Sequence, residues 1–227
     1  MCRKILLFVM MLLPLGVFAQ EEERQQKFLA PDYASIKQMT QDPNSIFYYP
    51  KLFKKYMDND PSLSLRDYRM LYYGYVFQDG YSRDGLKTAE DDSIKKIFDK
   101  GELTEQDLKE IIRLGIAYLH QVPFDLKRLN LVFVAAKESG DEATAQLYLT
   151  KVRMLALTVL TSGNGLSEDT PFFVISKSDE NAMINILGYK PNGTYDLSTT
   201  RYLTVEANED NLPGLYFDMK NVTVFAK

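Results

Sequence analysis

DYRMLYYGYVFQDGY, residues 67–81, decides how this chain is read, because it sets six aromatic rings and one arginine within fifteen positions. Tyr68, Leu71, Tyr72, Tyr75 and Val76 fall at i, i+3, i+4, i+7 and i+8, the spacing of one face of an α-helix, while Tyr73 and Phe77 lie on another. A helix that is apolar on more than one side is sandwiched between neighbours. The segment is therefore read as a core helix. Its tyrosine hydroxyls and Arg69 then form an internal network with Gln78, and Arg69, with no acid three or four positions away, needs a distant carboxylate or a ring face such as Tyr73. The competing reading is a groove in which Arg69, Tyr72, Tyr73 and Gln78 grip a peptide carboxylate or a sugar.

Working outward, the same periodicity predicts helices through Leu108, Ile111, Ile112, Gly115 and Leu119, and from Pro123 through Leu126, Leu129 and Phe133. After the turn ESGD, a longer one carries Tyr148, Val152, Leu155 and Val159 on one stripe, with Gly163 as its C-terminal cap. Shorter helices are expected around Tyr33–Met39 and Phe47–Met57. KKYMDNDPSLSLRDYRMLYYG at 54–74 echoes KKIFDKGELTEQDLKEIIRLG at 95–115, with Ser64 or Thr104 three residues before Asp67 or Asp107, a helix-start signature. Two such helix pairs point to an irregular tetratricopeptide-like stack or an α-bundle, although that repeat family's period is about 34.

Near SGNG, residues 162–165, the pattern changes to strand-like alternation. PFFVIS (171–176) is a strand candidate and DENAMINILG (179–188) a helix closed by Gly188. RYLTVE (201–206), LYFDM (215–219) and the terminal VTVFA alternate apolar with polar residues. The fold class is thus mostly α with a small α+β C-terminal part. Residues 1–19 are a signal peptide, 20–162 a helical domain, and 163–227 an α+β cap too thin to stand without the helices.

The first nineteen residues, MCRKILLFVMMLLPLGVFA, carry Arg3 and Lys4, an apolar run and the Pro14/Gly16 break, the pattern of a cleaved signal peptide. Export to the periplasm or beyond is expected. The only cysteine, Cys2, leaves with that segment, so disulfides, thiolate metal sites and cysteine nucleophiles are excluded from the mature chain. The remaining 25 basic and 31 acidic side chains offer no basic stripe for nucleic acid. No second stretch is long and apolar enough to span a bilayer.

His120 is the only histidine, which excludes catalytic triads and His-based zinc sites; near a helix end it reads as a capping or solvent-facing residue. Glu168/Asp169, Asp91/Asp92 and Glu209/Asp210 are adjacent pairs in charged contexts and read as solvated surface acids. DNDPSLSLRDYR lacks the glycine and glutamate of a calcium loop, and SGNG and DGYSRDG match no phosphate-binding spacing. Asn192-Gly193-Thr194 and Asn221-Val222-Thr223 match the N-glycan acceptor pattern. No cofactor is expected.

The chain resembles a family of exported bacterial proteins, domain of unknown function 4919, through DYRMLYYGYVFQDGY, ESGDEATAQLYLTKVRMLA, TSGNGLSEDTPFFVI and LYFDM. The family often has a proline shortly after the tyrosine matching Tyr81, where Arg83 and Asp84 stand here. The resemblance implies an envelope or secreted protein of Gram-negative type and supplies no activity. Two functions follow from the residues. The first is a non-enzymatic binding or scaffold protein recognising a peptide, protein or glycan through the aromatic helix. The second is a hydrolase of envelope or dietary polymers working through carboxylates alone. Two acids converging in a ring-lined cleft favour the hydrolase, and an acid-free groove favours binding.

Overall fold

The computed structural model describes residues 28–219. The expected signal segment and the terminal VTVFA lie outside them. Among the described residues the chain forms helices α1 (Tyr33–Gln41), α2 (Tyr49–Met57), α3 (Leu65–Gly74), α4 (Ala89–Phe98), α5 (Glu105–Leu119), α6 (Leu126–Ser139), α7 (Glu142–Leu160) and α8 (Lys177–Ile186). Strands β1 (Phe172–Phe173), β2 (Pro191–Asp196), β3 (Arg201–Val205) and β4 (Gly214–Asp218) form one sheet in the order β1-β4-β3-β2. β1 runs parallel to β4; the other pairs are antiparallel. The fold is mostly α with a small C-terminal mixed sheet.

Local chemistry sets the helix starts. Ser64 with Asp67, Thr88 with Asp91, and Thr104 with Asp107 each form a complete capping box, in which hydroxyl and carboxylate satisfy each other's backbone N–H groups. The two halves of the internal echo thus start α3 and α5 in the same way. α6 begins after Asp125, whose carboxylate accepts from Arg128 N; Pro123 lies outside the helix, which corrects the expected start. Gly140 ends α6 at φ 77°. Gly163 is not the cap of α7, which ends at Leu160 and is capped by Thr161. It is a glycine because a Cβ there would lie 2.0 Å from the Pro171 carbonyl oxygen.

α4 through α7 pack in sequence, each on the next, and α7 returns to α3, which also carries α1 and α2. Every residue of α3 from Met70 to Gly74 is buried, with Leu71, Tyr72 and Tyr73 at 0% exposure. In the sheet, Leu203, Val205, Leu215 and Phe217 face inward while Tyr202, Thr204 and Tyr216 face outward, as the alternation predicts. One continuous cluster of buried side chains runs from Tyr33 and Leu52 through α3 and α7 to Leu203 and Phe217. β2 has no counterpart among the expected strands, and β1 is far shorter than PFFVIS.

Candidate functional site

The four residues singled out on the aromatic helix do not form a groove. Tyr72 and Tyr73 are fully enclosed. The Tyr73 hydroxyl donates to the Phe173 carbonyl at 3.1 Å. Arg69 Nη2 donates to the carbonyls of Leu29 and Ala30, and its guanidinium lies 5.2 Å from the centre of the Tyr73 ring, the ring-face partner expected of it. Gln78 Nε2 donates to the Gly74 carbonyl at 3.2 Å. Arg69, Tyr72 and Tyr73 hold α3 to its surroundings, and Gln78 closes back on the end of α3.

Tyr72 leads instead to a group the sequence did not single out. Its hydroxyl lies 2.9 Å from Oδ2 of Asp179, in the first turn of α8, and accepts from Ile175 N–H at 3.3 Å. Asp179 Oδ1 accepts from Leu126 N–H, the first residue of α6, at 3.2 Å. Asp179 is 1% exposed, and burial, followed by the neighbouring Asp125, pushes its carboxyl up to about 7. Asp125 accepts from the hydroxyls of Tyr118 and Ser178. Nearby, Arg128 pairs with Asp91 and covers the Tyr118 ring. Asp125 and Asp179 line a crevice with Tyr75, Tyr81 and Phe124, but its volume is about 20 Å³, room for a water or two.

The next residue, Glu180, is also 1% exposed and faces the opposite way. Arg201 Nε of β3 lies 2.9 Å from one of its oxygens and 3.2 Å from the other, while Arg201 Nη1 reaches Asp196 of β2 at 2.8 Å. Burial outweighs the attraction of Arg201 and lifts Glu180 to about 7. Ser176 followed by Asp179 is the same hydroxyl-then-acid spacing that marks the other helix starts, so a signal for α8's cap existed in the sequence. Nothing local revealed that the acid would be buried. The adjacent pairs read as surface acids serve separate bonds: Asp91 pairs with Arg128, Glu168 accepts from Thr199 and Thr200, and Asp210 accepts from Tyr189. His120 is exposed at the end of α5. The described residues contain no cluster of three or more His, Cys, Asp or Glu side chains that would hold a metal ion, and no helix long and apolar enough to cross a membrane.

A second feature lies on the solvent side of the sheet. Tyr195, Tyr202 and Tyr216 sit directly opposite one another on β2, β3 and β4 and therefore share one face. The rings of Tyr202 and Tyr216 are 4.6 Å apart, and Tyr195 is 60% exposed. Beside this row run Gly193, Thr204 and Gly214. A Cβ at Gly214 would meet the Leu203 carbonyl oxygen at 2.4 Å and the tip of the Tyr202 ring at 2.7 Å, so only glycine leaves that ring its place. The row carries no charge. The sequence alternation showed Tyr202 and Tyr216 pointing away from the core, but their alignment with Tyr195 depends on β2 and its register.

No curated protein and no solved structure matches the chain. The model of one family, described as a domain of unknown function (DUF4919), matches residues 34–224, nearly all of the helical and sheet elements above, and the chain belongs to that family.

Proposed function

We propose that this is an exported, non-enzymatic binding or scaffold protein whose contact face is the solvent side of the sheet. The observation that carries this reading is the uncharged row Tyr195–Tyr202–Tyr216 on the outer face of the sheet, with Tyr195 exposed, Tyr202 and Tyr216 half-buried, and small neighbours at Gly193 and Gly214. Tyrosine presents a broad apolar face with a polar tip at low entropic cost, and suits an uncharged glycan chain or an extended peptide. The acidic excess argues against a nucleic-acid ligand. Placement in the periplasm or outside the cell rests on the Arg3/Lys4 and apolar pattern of the first nineteen residues.

The test is binding of the purified chain to glycan and peptide panels, compared with Tyr195→Ala and Tyr216→Ala. A loss of about tenfold or more in affinity for a ligand that the parent binds supports the reading, as expected for truncating an aromatic anchor. Equal binding by parent and variants removes the sheet face from the function.

One observation favours the hydrolase: Asp125 and Asp179 do converge in a crevice lined by rings, and one of them is lifted to about 7. The space there is far below the roughly 300 Å³ or more of a small-molecule site, and both carboxylates already serve backbone N–H groups at the start of α6. Turnover of a polymer that disappears in Asp125→Asn would establish that activity in place of binding.

A further inference from the structure

α8 sits between the two halves of the fold, and its first turn carries two successive carboxyl side chains that leave in opposite directions. Asp179 reaches the helical layer, where the Tyr72 hydroxyl comes from α3 and the Leu126 N–H from α6. Asp125 adds a negative charge from the start of α6, and Tyr73 and Tyr81 add weakly acidic hydroxyls. The Ser176 hydroxyl comes from its own cap. Among the described residues no cation pairs with Asp179. Glu180 reaches the sheet, where Arg201, the one cation paired with it among the described residues, is shared with Asp196, and Lys177 of the same helix turns to Asp84 at 2.6 Å. Two enclosed acids with two further acids beside them thus share one arginine.

We propose that the first turn of α8 is a proton-operated latch: protonated Asp179 and Glu180 hold the helical layer and the sheet together, and losing those protons loosens α8 from both. Ionising Asp179 sets a second negative charge beside Asp125 in an enclosed place. Ionising Glu180 leaves Arg201 to neutralise two carboxylates. Opening relieves both by admitting water, and the crevice at Asp125 and Asp179 is where water enters.

The direction follows from linkage. Both carboxyls are raised from ordinary values of 3.8 and 4.5 to about 7 in the folded state. The closed form therefore keeps protons that the open form sheds. Stability from this pair is full below the ordinary carboxylate range and drains away as pH climbs to about 7. The other shifted carboxyls, Asp107 among them, are lowered and act only in more acidic solution, so they leave this window clear.

Hydrogen–deuterium exchange of the full chain tests the latch in a His120→Gln background, which removes the one imidazole. After correction for intrinsic rates, protection of the Ala182–Ile184 amides should fall on the order of tenfold or more between about pH 5 and about pH 8. The double variant Asp179→Asn/Glu180→Gln should lose that dependence. Constant protection in the parent, or an unchanged fall in the double variant, overturns the proposal. Should the variant not fold, the carboxyl carbon resonances of Asp179 and Glu180 in the parent decide: midpoints near neutrality support the latch, and midpoints in the ordinary carboxylate range overturn it.

Discussion

Lys151 shows what burial does to one side chain. It lies on α7 at 8% exposure, its ammonium 4.2 Å from the centre of the Tyr56 ring and 5.6 Å from that of Tyr148, and among the described residues no carboxylate pairs with it. Burial lowers it from 10.5 to about 8, so desolvation exceeds what is returned to the charged form. The folded state sheds a proton that the unfolded chain keeps, and stability from this residue rises as pH climbs from about 8 toward 10.5. Lys151→Met keeps the packed stem and removes the charge. It should stabilise the protein by about 1–2 kcal/mol at neutral pH and abolish that alkaline rise, as measured by urea unfolding at several pH values. The residue pattern placed position 151 on a helix without revealing this, because the two rings come from α2 and from the preceding turn of α7.

At the scale of elements, helix starts were the most legible features because they are chemically local. Ser64/Asp67 and Thr104/Asp107 sit three residues apart in sequence and bond to each other in the fold. Thr104→Ala should cost about 1 kcal/mol by removing the acceptor for Asp107 N–H, read as a shift in the urea midpoint with unchanged slope. Asp107 is held at about 2, first by Lys100 and then by Thr104. Its contribution is present above the ordinary carboxylate range and is lost only as pH falls toward that value, the reverse of Asp179. The strands were legible where one face is buried, as in β3 and β4. β2 was not, because its residues face solvent on both sides and leave no apolar alternation, so Asn192-Gly193-Thr194 read only as a glycan acceptor pattern. The start of α6 was misplaced by the strength of proline as a first-turn residue. Pro123 is buried, and its carbonyl accepts the Tyr56 hydroxyl at 2.8 Å, so a tertiary bond outweighs the local preference.

Across the whole molecule, helices and sheet share one buried cluster, with Tyr72, Leu155, Met183 and Phe217 all enclosed. Helical signal in the far ultraviolet and tyrosine signal in the near ultraviolet should therefore be lost in one coincident thermal transition; two separated midpoints would show that the sheet region unfolds alone. By itself the sequence determined the class of the fold and the identity of α3 as a core helix, because periodicity, caps and turn residues act within a few positions; the family came from resemblance of whole segments. Only the tertiary structure decided that Tyr72 meets Asp179 across 107 residues, that Asp125 joins them, and that Tyr195 falls into line with Tyr202 and Tyr216. Each depends on how deeply a group is enclosed and what faces it from another element, and burial in three dimensions is not encoded in the spacing of neighbours along the chain.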